Sequence, residues 1–173
     1  GREVDILGRL LVENCTSIGH AGQVVSTMNR GVDVNLKGCY FAESYENTIM
    51  VHTAKSVTIS ETTIVDSGRF LIEGYYWSFV DDGYVIDRCF FSDADSLGIF
   101  LNDRSGDKLV SNCIFEGTNP GIQLDCGRCD EIGDKGLGGF HSVVNCTLIG
   151  VEGSGTGVNI SMRDALDPNV INT

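Results

Sequence analysis

One short motif recurs along the chain, and its period limits the folds that the sequence can adopt. The centre of the motif is a small residue, Cys in five of the six copies, that follows a short run rich in apolar residues. Successive centres lie 24, 23, 27, 24 and 33 residues apart. The centres are Cys15, Cys39, Thr62, Cys89, Cys113 and Cys146. Self-similarity at a period of this size is the signature of a repeat architecture.

A second motif lies between these centres and places apolar residues at alternating positions after a small or polar residue. Clear copies are Thr48-Ile49-Met50-Val51, Gly98-Ile99-Phe100-Leu101, Gly121-Ile122-Gln123-Leu124 and Gly157-Val158-Asn159-Ile160, and looser copies begin at Gly22 and Arg69. Each repeat therefore holds at least two short strands, which cannot bury an apolar face alone. Parallel stacking of equivalent strands buries that face. The sequence predicts an all-β fold, a right-handed, single-stranded parallel β-helix of about six to seven coils.

The turn residues agree with this solenoid. The chain has 22 Gly but only 2 Pro, so its many turns are made mostly without proline. A β-sandwich is the competing architecture, but it predicts no common phase between segments 24 residues apart. A minor helix around Asp5 to Glu13 stays open. We expect one domain over residues 1–173, whole or as part of a longer chain, with an insertion loop at 125–139.

The lines Val110-Ser111-Asn112-Cys113-Ile114-Phe115 and Val144-Asn145-Cys146-Thr147-Leu148 resemble the repeat of the pectin-lyase-like superfamily. The resemblance extends over about Leu10 to Ser161 and identifies no subfamily. It implies a β-helix that acts on or binds polysaccharides, and an extracellular or cell-surface location. The Asp-Asp pair of polygalacturonases is matched superficially by Asp81-Asp82, but their Gly-His-Gly and Arg-x-Lys motifs are missing. The calcium-binding Asp cluster of pectate lyases has no convincing match.

The net charge limits the kinds of partner that the chain can bind. The chain has 12 Lys and Arg against 24 Asp and Glu, a net charge of −12, which disfavours nucleic acid and anionic membranes. No apolar run is long enough to span a bilayer. A polysaccharide is the expected partner. A homo-oligomer, or further parts of a longer chain, would cap the open ends of the solenoid.

Seven cysteines divide into two groups. The five on the repeat column are expected to be buried free thiols that fill the core. Cys126 and Cys129 form a CxxC in the insertion, where a disulfide, two thiols and a zinc site all stay open. No metal or other cofactor is indicated, although the acidic insertion leaves Ca²⁺ binding open.

Candidate chemistry lies directly after the second motif. Aligning its copies gives one column, namely Ser26, His52, Glu73, Asn102, Asp125 and Ser161. Parallel stacking would then bring Glu73 and Asp125, two rungs apart, to about 10 Å, near the upper end of the carboxyl separation in inverting glycosidases. We expect Glu73 and Asp125, or Asp103, to act as acid and base.

Flanking residues extend this column into a groove. The residues expected to contact substrate are Tyr75, Tyr76, Trp77, Asn102, Arg104, His52, Asp81 and Asp82. The same residues also fit ordinary turns and core cover. Two functions therefore stay open. One is a carbohydrate-active or carbohydrate-binding domain, whose reaction would be that of a polysaccharide lyase, glycoside hydrolase or transferase. The other is a structural, adhesin or tailspike-type segment without catalysis.

Overall fold

The computed structural model describes residues 8–118, 121–126, 140–152, 158–161 and 168–171, and every regular element in them is a β-strand. Each strand pairs in parallel with the equivalent strand of the next coil. The strands form three sheets of seven, six and six members. The parallel β-helix expected from the repeat is therefore confirmed, and the alternative β-sandwich is excluded because its sheets would be antiparallel.

Each coil contributes one strand to each sheet. Sheet A contains Gly8–Glu13 (β1), Val32–Lys37 (β4), Ser56–Ser60 (β7), Tyr84–Asp87 (β10), Lys108–Ser111 (β13), His141–Val144 (β16) and Pro168–Ile171 (β19). Sheet B contains Thr16–His20 (β2), Tyr40–Ser44 (β5), Thr63–Ser67 (β8), Phe90–Ala94 (β11), Ile114–Thr118 (β14) and Thr147–Glu152 (β17). Sheet C contains Val25–Met28 (β3), Ile49–Ala54 (β6), Phe70–Val80 (β9), Leu97–Ser105 (β12), Ile122–Cys126 (β15) and Val158–Ser161 (β18).

The minor helix considered near the N-terminus is wrong for residues 8–13, which form strand β1; residues 5–7 lie outside the described part of the chain. Leu10 pairs with Val34 and Val12 with Leu36, so alternate side chains of β1 pack against the core. The inward apolar residues of this segment therefore recur every two residues, as in a strand, and not every 3.6 residues, as in a helix.

The core consists of columns of inward side chains that repeat from coil to coil. In sheet C, Ile49, Ile72, Ile99 and Ile122 occupy one register position and are each 0% exposed. In sheet B the corresponding column includes Phe91 and Phe115, whose rings stack with centroids 4.8 Å apart. Such columns bury apolar surface that no single coil can bury by itself.

A left-handed bend joins each sheet A strand to its sheet B strand. The bend residue has φ between 51° and 62° in every described coil that contains it, at Asn14, Gly38, Glu61, Arg88, Asn112 and Asn145. Asn and Gly adopt this conformation at the lowest cost, which explains their recurrence one residue before the Cys column. The turn expected there from the sequence is confirmed.

The repeat centre directly after each bend satisfies its own polar atom. The Cys113 Sγ donates to the carbonyl of Ser111 at 3.0 Å, and the Thr62 Oγ1 donates to the carbonyl of Ser60 at 2.9 Å. Thr can therefore replace Cys in this column because its hydroxyl makes the same bond. Cys39, Cys89, Cys113 and Cys146 are buried free thiols, as expected, whereas Cys15 is exposed because it lies in the first described coil.

The bend residues of the C-terminal coils also form an amide ladder along the outside of the solenoid. The Asn145 Nδ2 donates to the Asn112 Oδ1, and the Asn112 Nδ2 donates to the Asp87 Oδ1, each at 2.7 Å. Ser111 and Arg88 also bind the Asp87 carboxylate. The Asn112 and Asn145 side chains of neighbouring coils thus bind one another.

Candidate functional site

The register of sheet C decides which candidate residues share a surface. Asn102 pairs with Asp125, and Asp125 pairs with Ser161, as the sequence alignment predicted. Glu73 does not join this column, because it pairs with Phe100 and Met50. The alignment of Arg69–Ile72 with Gly98–Leu101 is therefore wrong by two residues, since the register pairs Ile72 with Ile99.

This correction moves Glu73 relative to Asp125. The two residues are two rungs apart across the sheet and two residues apart along the strand direction. Strand spacing and rise per residue then put their Cα atoms about 12 Å apart rather than 10 Å. Ser26 is also displaced, because it pairs with Met50 rather than with His52. Glu73 and Asp125 thus remain two rungs apart within sheet C.

Strand β9 contains more residues than its neighbours β6 and β12 at the same point along the strand. Gly74 and Phe79 both pair with β6 and with β12, and four residues, 75–78, lie between them. The preceding coil has one residue at this point, His52, and the following coil has two, Asn102 and Asp103. The insertion expected in this coil is thus a bulge at residues 75–78. The structure does not describe the side chains of 75–78 or of 103–105.

Glu73 is an outward-facing carboxyl group that is nevertheless buried. Its register neighbours on the two adjacent rungs are Met50 and Phe100, and its residue is 2% exposed. The Asn47 amide donates a hydrogen bond to the Glu73 carboxyl group. Asn47 is itself held in place, because its Oδ1 accepts a hydrogen bond from the Phe70 backbone N–H at 3.3 Å.

The surroundings of Glu73 favour its neutral form. Burial raises the pKa of the Glu73 carboxyl group, although the charge of Arg69, the Asn47 hydrogen bond and the charge of His52 act in the opposite direction. An acid in an apolar site holds its proton to higher pH than an exposed acid does. The group is thus suited to donate a proton, which is the role expected of an acid catalyst.

Two aromatic rings lie beside this acid. Phe70 and Phe100 stack with ring centroids 5.0 Å apart, and the Arg69 guanidinium lies 5.4 Å from the Phe70 ring centroid. Both rings are partly exposed. We call Glu73, Asn47, Arg69, Phe70 and Phe100 the sheet C patch. It combines an apolar platform, a cation and a carboxyl group within one outward surface.

Asn102 adds an unused acceptor near the bulge. Its Oδ1 is buried and has no hydrogen-bond partner within the described residues. The backbone of Asp103 pairs with that of Cys126 on the next coil. Asn102, Asp103 and Asp125 therefore lie on two adjacent rungs at the same end of sheet C.

A family model for the right-handed beta helix region matches residues 23–172. The chain belongs to the right-handed beta helix family. The match spans the whole of sheet C from its first strand, so all of the sheet C patch lies within the family region. No curated protein and no solved structure matches the chain.

Membership of the right-handed beta helix family accounts for the rungs but not for the charged residues at the end of β9. The Asp81 carboxylate pairs with the Arg30 guanidinium at 2.7 Å, and the Asp82 carboxylate lies 4.0 Å from the Lys55 Nζ. Arg30 also lies 4.7 Å from the Phe79 ring centroid. Asp81 and Asp82 thus form part of an ion-pair cluster at the corner between sheets C and A. They are not placed among the residues of the sheet C patch.

Several predictions fall on residues outside the described part. Residues 127–139 of the insertion are not described, and neither is Cys129, so its pairing with Cys126 stays undetermined. Among the described residues no three metal-ligating side chains come together, and no helix is long and apolar enough to cross a membrane. Calcium binding by the insertion stays a prediction.

The structure also reveals residues that sequence reasoning missed. Asn47, Arg69, Phe70 and Phe100 belong to the sheet C patch but were read only as turn or strand residues. Correct alignment at Ile72 would have placed Phe100 beside Glu73. A second group lies inside the solenoid, where Tyr84, Lys108 and His141 occupy one register column and are at most 1% exposed. No signal in the repeat distinguishes these inward polar positions from apolar ones.

Proposed function

We propose that the sheet C patch binds a polysaccharide, and that Glu73 gives a proton to the glycosidic oxygen as the chain is cleaved. One observation supports this most strongly. Glu73 points outward from the sheet, yet its carboxyl group is buried beside Phe100, and this burial raises its pKa. A carboxyl group whose pKa is raised is better suited than an exposed one to protonate a departing sugar alcohol.

The stacked rings supply a platform for sugar. Aromatic rings bury large areas with little loss of side-chain freedom, and a pyranose ring can lie with its C–H face against them. Phe70 and Phe100 are the described rings that would serve this role. In this proposal the bulge at 75–78 brings Tyr75, Tyr76 and Trp77 to the same end of the sheet, and His52, Asn102 and Arg104 line it.

The second carboxyl group is a separate element of the proposal. In this proposal Asp125 serves as the base, and strand spacing puts its Cα atom about 12 Å from that of Glu73. Inverting enzymes hold their carboxyl groups about 6.5 to 9.5 Å apart, so the two side chains would have to lean toward each other to activate a water molecule between them. Asp103, one rung from Glu73, is the other candidate. In hydrolysis and glycosyl transfer the leaving oxygen takes a proton as its bond to the anomeric carbon breaks. In elimination a base first removes the C5 proton, and the leaving oxygen takes a proton as its bond to C4 breaks, so the role of Glu73 is common to all three.

A structural segment without catalysis is the second candidate function, and one observation favours it. Glu73 is 2% exposed and already accepts a hydrogen bond from Asn47. In this alternative the pair joins two neighbouring coils, and the solenoid is a rigid rod. Removal of the Glu73 carboxyl group would then change stability and leave all binding to polysaccharides unchanged.

The experiment compares wild-type protein with Glu73→Gln and with the matched variant Glu116→Gln, which changes an exposed Glu on sheet B. Binding is measured by affinity electrophoresis across neutral and anionic polysaccharides, and cleavage by newly formed reducing ends and unsaturated products. We expect Glu73→Gln to lower the cleavage rate by about 100-fold or more while binding persists. Glu116→Gln should match wild type. Equal rates in all three proteins, or no binding by any of them, would exclude the proposal.

A further inference from the structure

The outer face of sheet B is apolar along several coils. One outward column contains Tyr40, Thr63, Phe90 and Ile114 on consecutive rungs. Tyr40 is 40% exposed and Ile114 is 43% exposed. A second outward column, two residues further along each strand, contains apolar residues that are interrupted by Ser92 and Glu116, in the order Ile18, Ala42, Val65, Ser92, Glu116 and Ile149. We call these two columns the sheet B strip.

A row of carboxylates borders the strip on one side. Glu43, Asp66 and Asp93 directly follow the second column on three consecutive rungs, and all three are exposed. Their φ angles are 55°, 55° and 51°, so each occupies the same left-handed bend. Gly19 and Gly117 take this bend in the coils before and after. We call the three carboxylates the acidic row.

The acidic row concentrates charge of one sign. Three more exposed carboxylates, Glu46, Asp95 and Glu116, lie in the same coils within three residues of the row. Arg69 is the one Lys or Arg in residues 40–47, 63–70, 90–97 and 114–118, and its guanidinium lies over Phe70 on the sheet C side. The backbone positions of the row on neighbouring rungs are about 4.8 Å apart, so charges of the same sign lie close together along it and a cationic partner would reduce their repulsion.

We propose that the sheet B strip and the acidic row together bind a basic amphipathic α-helix of a partner polypeptide. Its apolar face would cover Tyr40, Phe90 and Ile114, and its Lys or Arg side chains would lie along the acidic row. A partner must therefore carry positive charge to match the acidic row and an apolar face to cover the sheet B strip. This surface is separate from the sheet C patch, and the inference is independent of the proposed cleavage activity.

The spacing of the row favours a helix over a strand. A helix that lies along the solenoid axis advances about 5.4 Å per turn, so a basic residue on each turn nearly matches the rung spacing of about 4.8 Å. An extended peptide presents same-side residues about 6.6 Å apart and loses register after one or two rungs. A second copy of this chain is a poor occupant, because its net charge is −12 and its own acidic row would face the first.

The test uses two synthetic helices of about 18 residues, which are long enough to cover four rungs. Both carry Leu on one face, and the flanking residues are Lys in one peptide and Glu in the other. Binding to the full chain is measured by calorimetry at physiological salt, and sedimentation of the protein alone reports self-association. The charge variant is Asp66→Asn with Asp93→Asn, since Asn tolerates the left-handed bend. Its matched control is Asp81→Asn with Asp82→Asn, which removes equal charge at another corner.

A second pair of variants tests the apolar strip. Tyr40→Thr with Ile114→Thr uses the residue that already occupies this column at Thr63, so the strands should remain intact. The control is Leu11→Thr with Val85→Thr, two residues of the outer face of sheet A that are 46% and 41% exposed. Circular dichroism verifies that all four variants remain folded.

We expect the Lys peptide to bind wild type and the Glu peptide not to bind. The Asp66/Asp93 variant should weaken binding roughly fivefold and the Tyr40/Ile114 variant roughly tenfold, with both controls within about twofold of wild type. Equal binding to the two charge variants would mean that net charge alone attracts the peptide, and would overturn the proposal. Absence of binding would overturn it, and so would self-association that the Tyr40/Ile114 variant abolishes, since a second copy would then be the occupant.

Discussion

Two carboxyl groups in this solenoid, Asp87 and Glu73, have opposite environments. Asp87 lies at the regular corner between sheets A and B, where hydrogen bonds from Asn112 and Ser111 and the charge of Arg88 outweigh burial and lower its pKa. Glu73 lies on sheet C before an irregular bulge, where burial dominates and raises its pKa. Regular stacking brings hydrogen-bond donors into register around the Asp87 carboxylate. At the interrupted coil the groups around Glu73 do not offset the burial of its carboxyl group.

The same contrast separates the two aromatic stacks. Phe91 and Phe115 stack inside sheet B and are 0% exposed, so their contact contributes to the core. Phe70 and Phe100 stack on the outside of sheet C and are partly exposed. Rings that remain accessible to solvent contribute less to stability and more to what the surface can bind.

The largest expected effect comes from truncating one ring in each stack. Phe91→Ala should lower the free energy of unfolding by about 3 to 5 kcal/mol, because it opens a cavity in the core. Phe100→Ala should cost only about 1 kcal/mol, since its side chain lies on the outer face and stays partly exposed to solvent. Urea denaturation followed by circular dichroism measures both. If Phe100→Ala costs as much as Phe91→Ala, the outer stack belongs to the core.

A smaller effect is expected along the Cys column. Cys113→Ala removes a buried thiol that donates to Ser111, and should cost about 1 to 2 kcal/mol. Cys15→Ala should cost nearly nothing, because Cys15 is exposed. Cys113→Thr serves as a third variant, since Thr62 shows that a hydroxyl fits this position. Equal free energies of unfolding for the Cys15 and Cys113 variants would argue against a core role for the column.

An effect of similar size is expected when the amide ladder is broken. Asn112→Ala removes the hydrogen bonds to Asp87 and Asn145, and it forces Ala into a left-handed bend of φ 53°. We expect a loss of about 1 to 2 kcal/mol. Asn112→Gly keeps the bend accessible and isolates the hydrogen bonds, so it should cost less than Ala. Should the two variants be equally stable, the bend conformation contributes nothing.

The smallest effects are the opposite pH dependences of the two carboxyl groups. Because the folded pKa of Asp87 is lowered, its contribution to stability is present above the unfolded pKa and is lost as pH falls through the folded value. Because that of Glu73 is raised, its contribution is present below the unfolded pKa and is lost as pH rises through the folded value. Urea unfolding from pH 3 to pH 8, compared with Asp87→Asn and Glu73→Gln, measures both. Slopes of the same sign for the two groups would contradict the contrast.

The repeat was sufficient to predict the fold, and its limits lie at identifiable residues. The period of Cys and Thr centres gave the parallel coils, the bends at Asn112 and Asn145 and the register of Asn102 with Asp125. It failed at Glu73, because the looser copy Arg69–Ile72 was aligned two residues out of register. Patterns of alternate apolar residues cannot detect such a shift, since a two-residue displacement keeps every side chain on the same face.

The candidate site was only partly accessible from the sequence for a related reason. Glu73 and the inserted residues 75–78 break the spacing and were therefore visible. Asn47 reaches Glu73 from the corner between sheets B and C, and no local motif indicates that contact. The ion pair between Arg30 and Asp81 joins residues 51 positions apart, so no local pattern indicated it.

The regular rungs form the fold, and we propose that the interrupted coil provides the function. The most direct test replaces residues 75–78 with a single His, as His52 fills the same gap in the preceding coil. The account predicts one cooperative unfolding transition, with a free energy of unfolding within about 1 kcal/mol of wild type, and loss of the polysaccharide binding that wild type shows. Unfolding of the shortened protein, or polysaccharide binding equal to that of wild type, would contradict it.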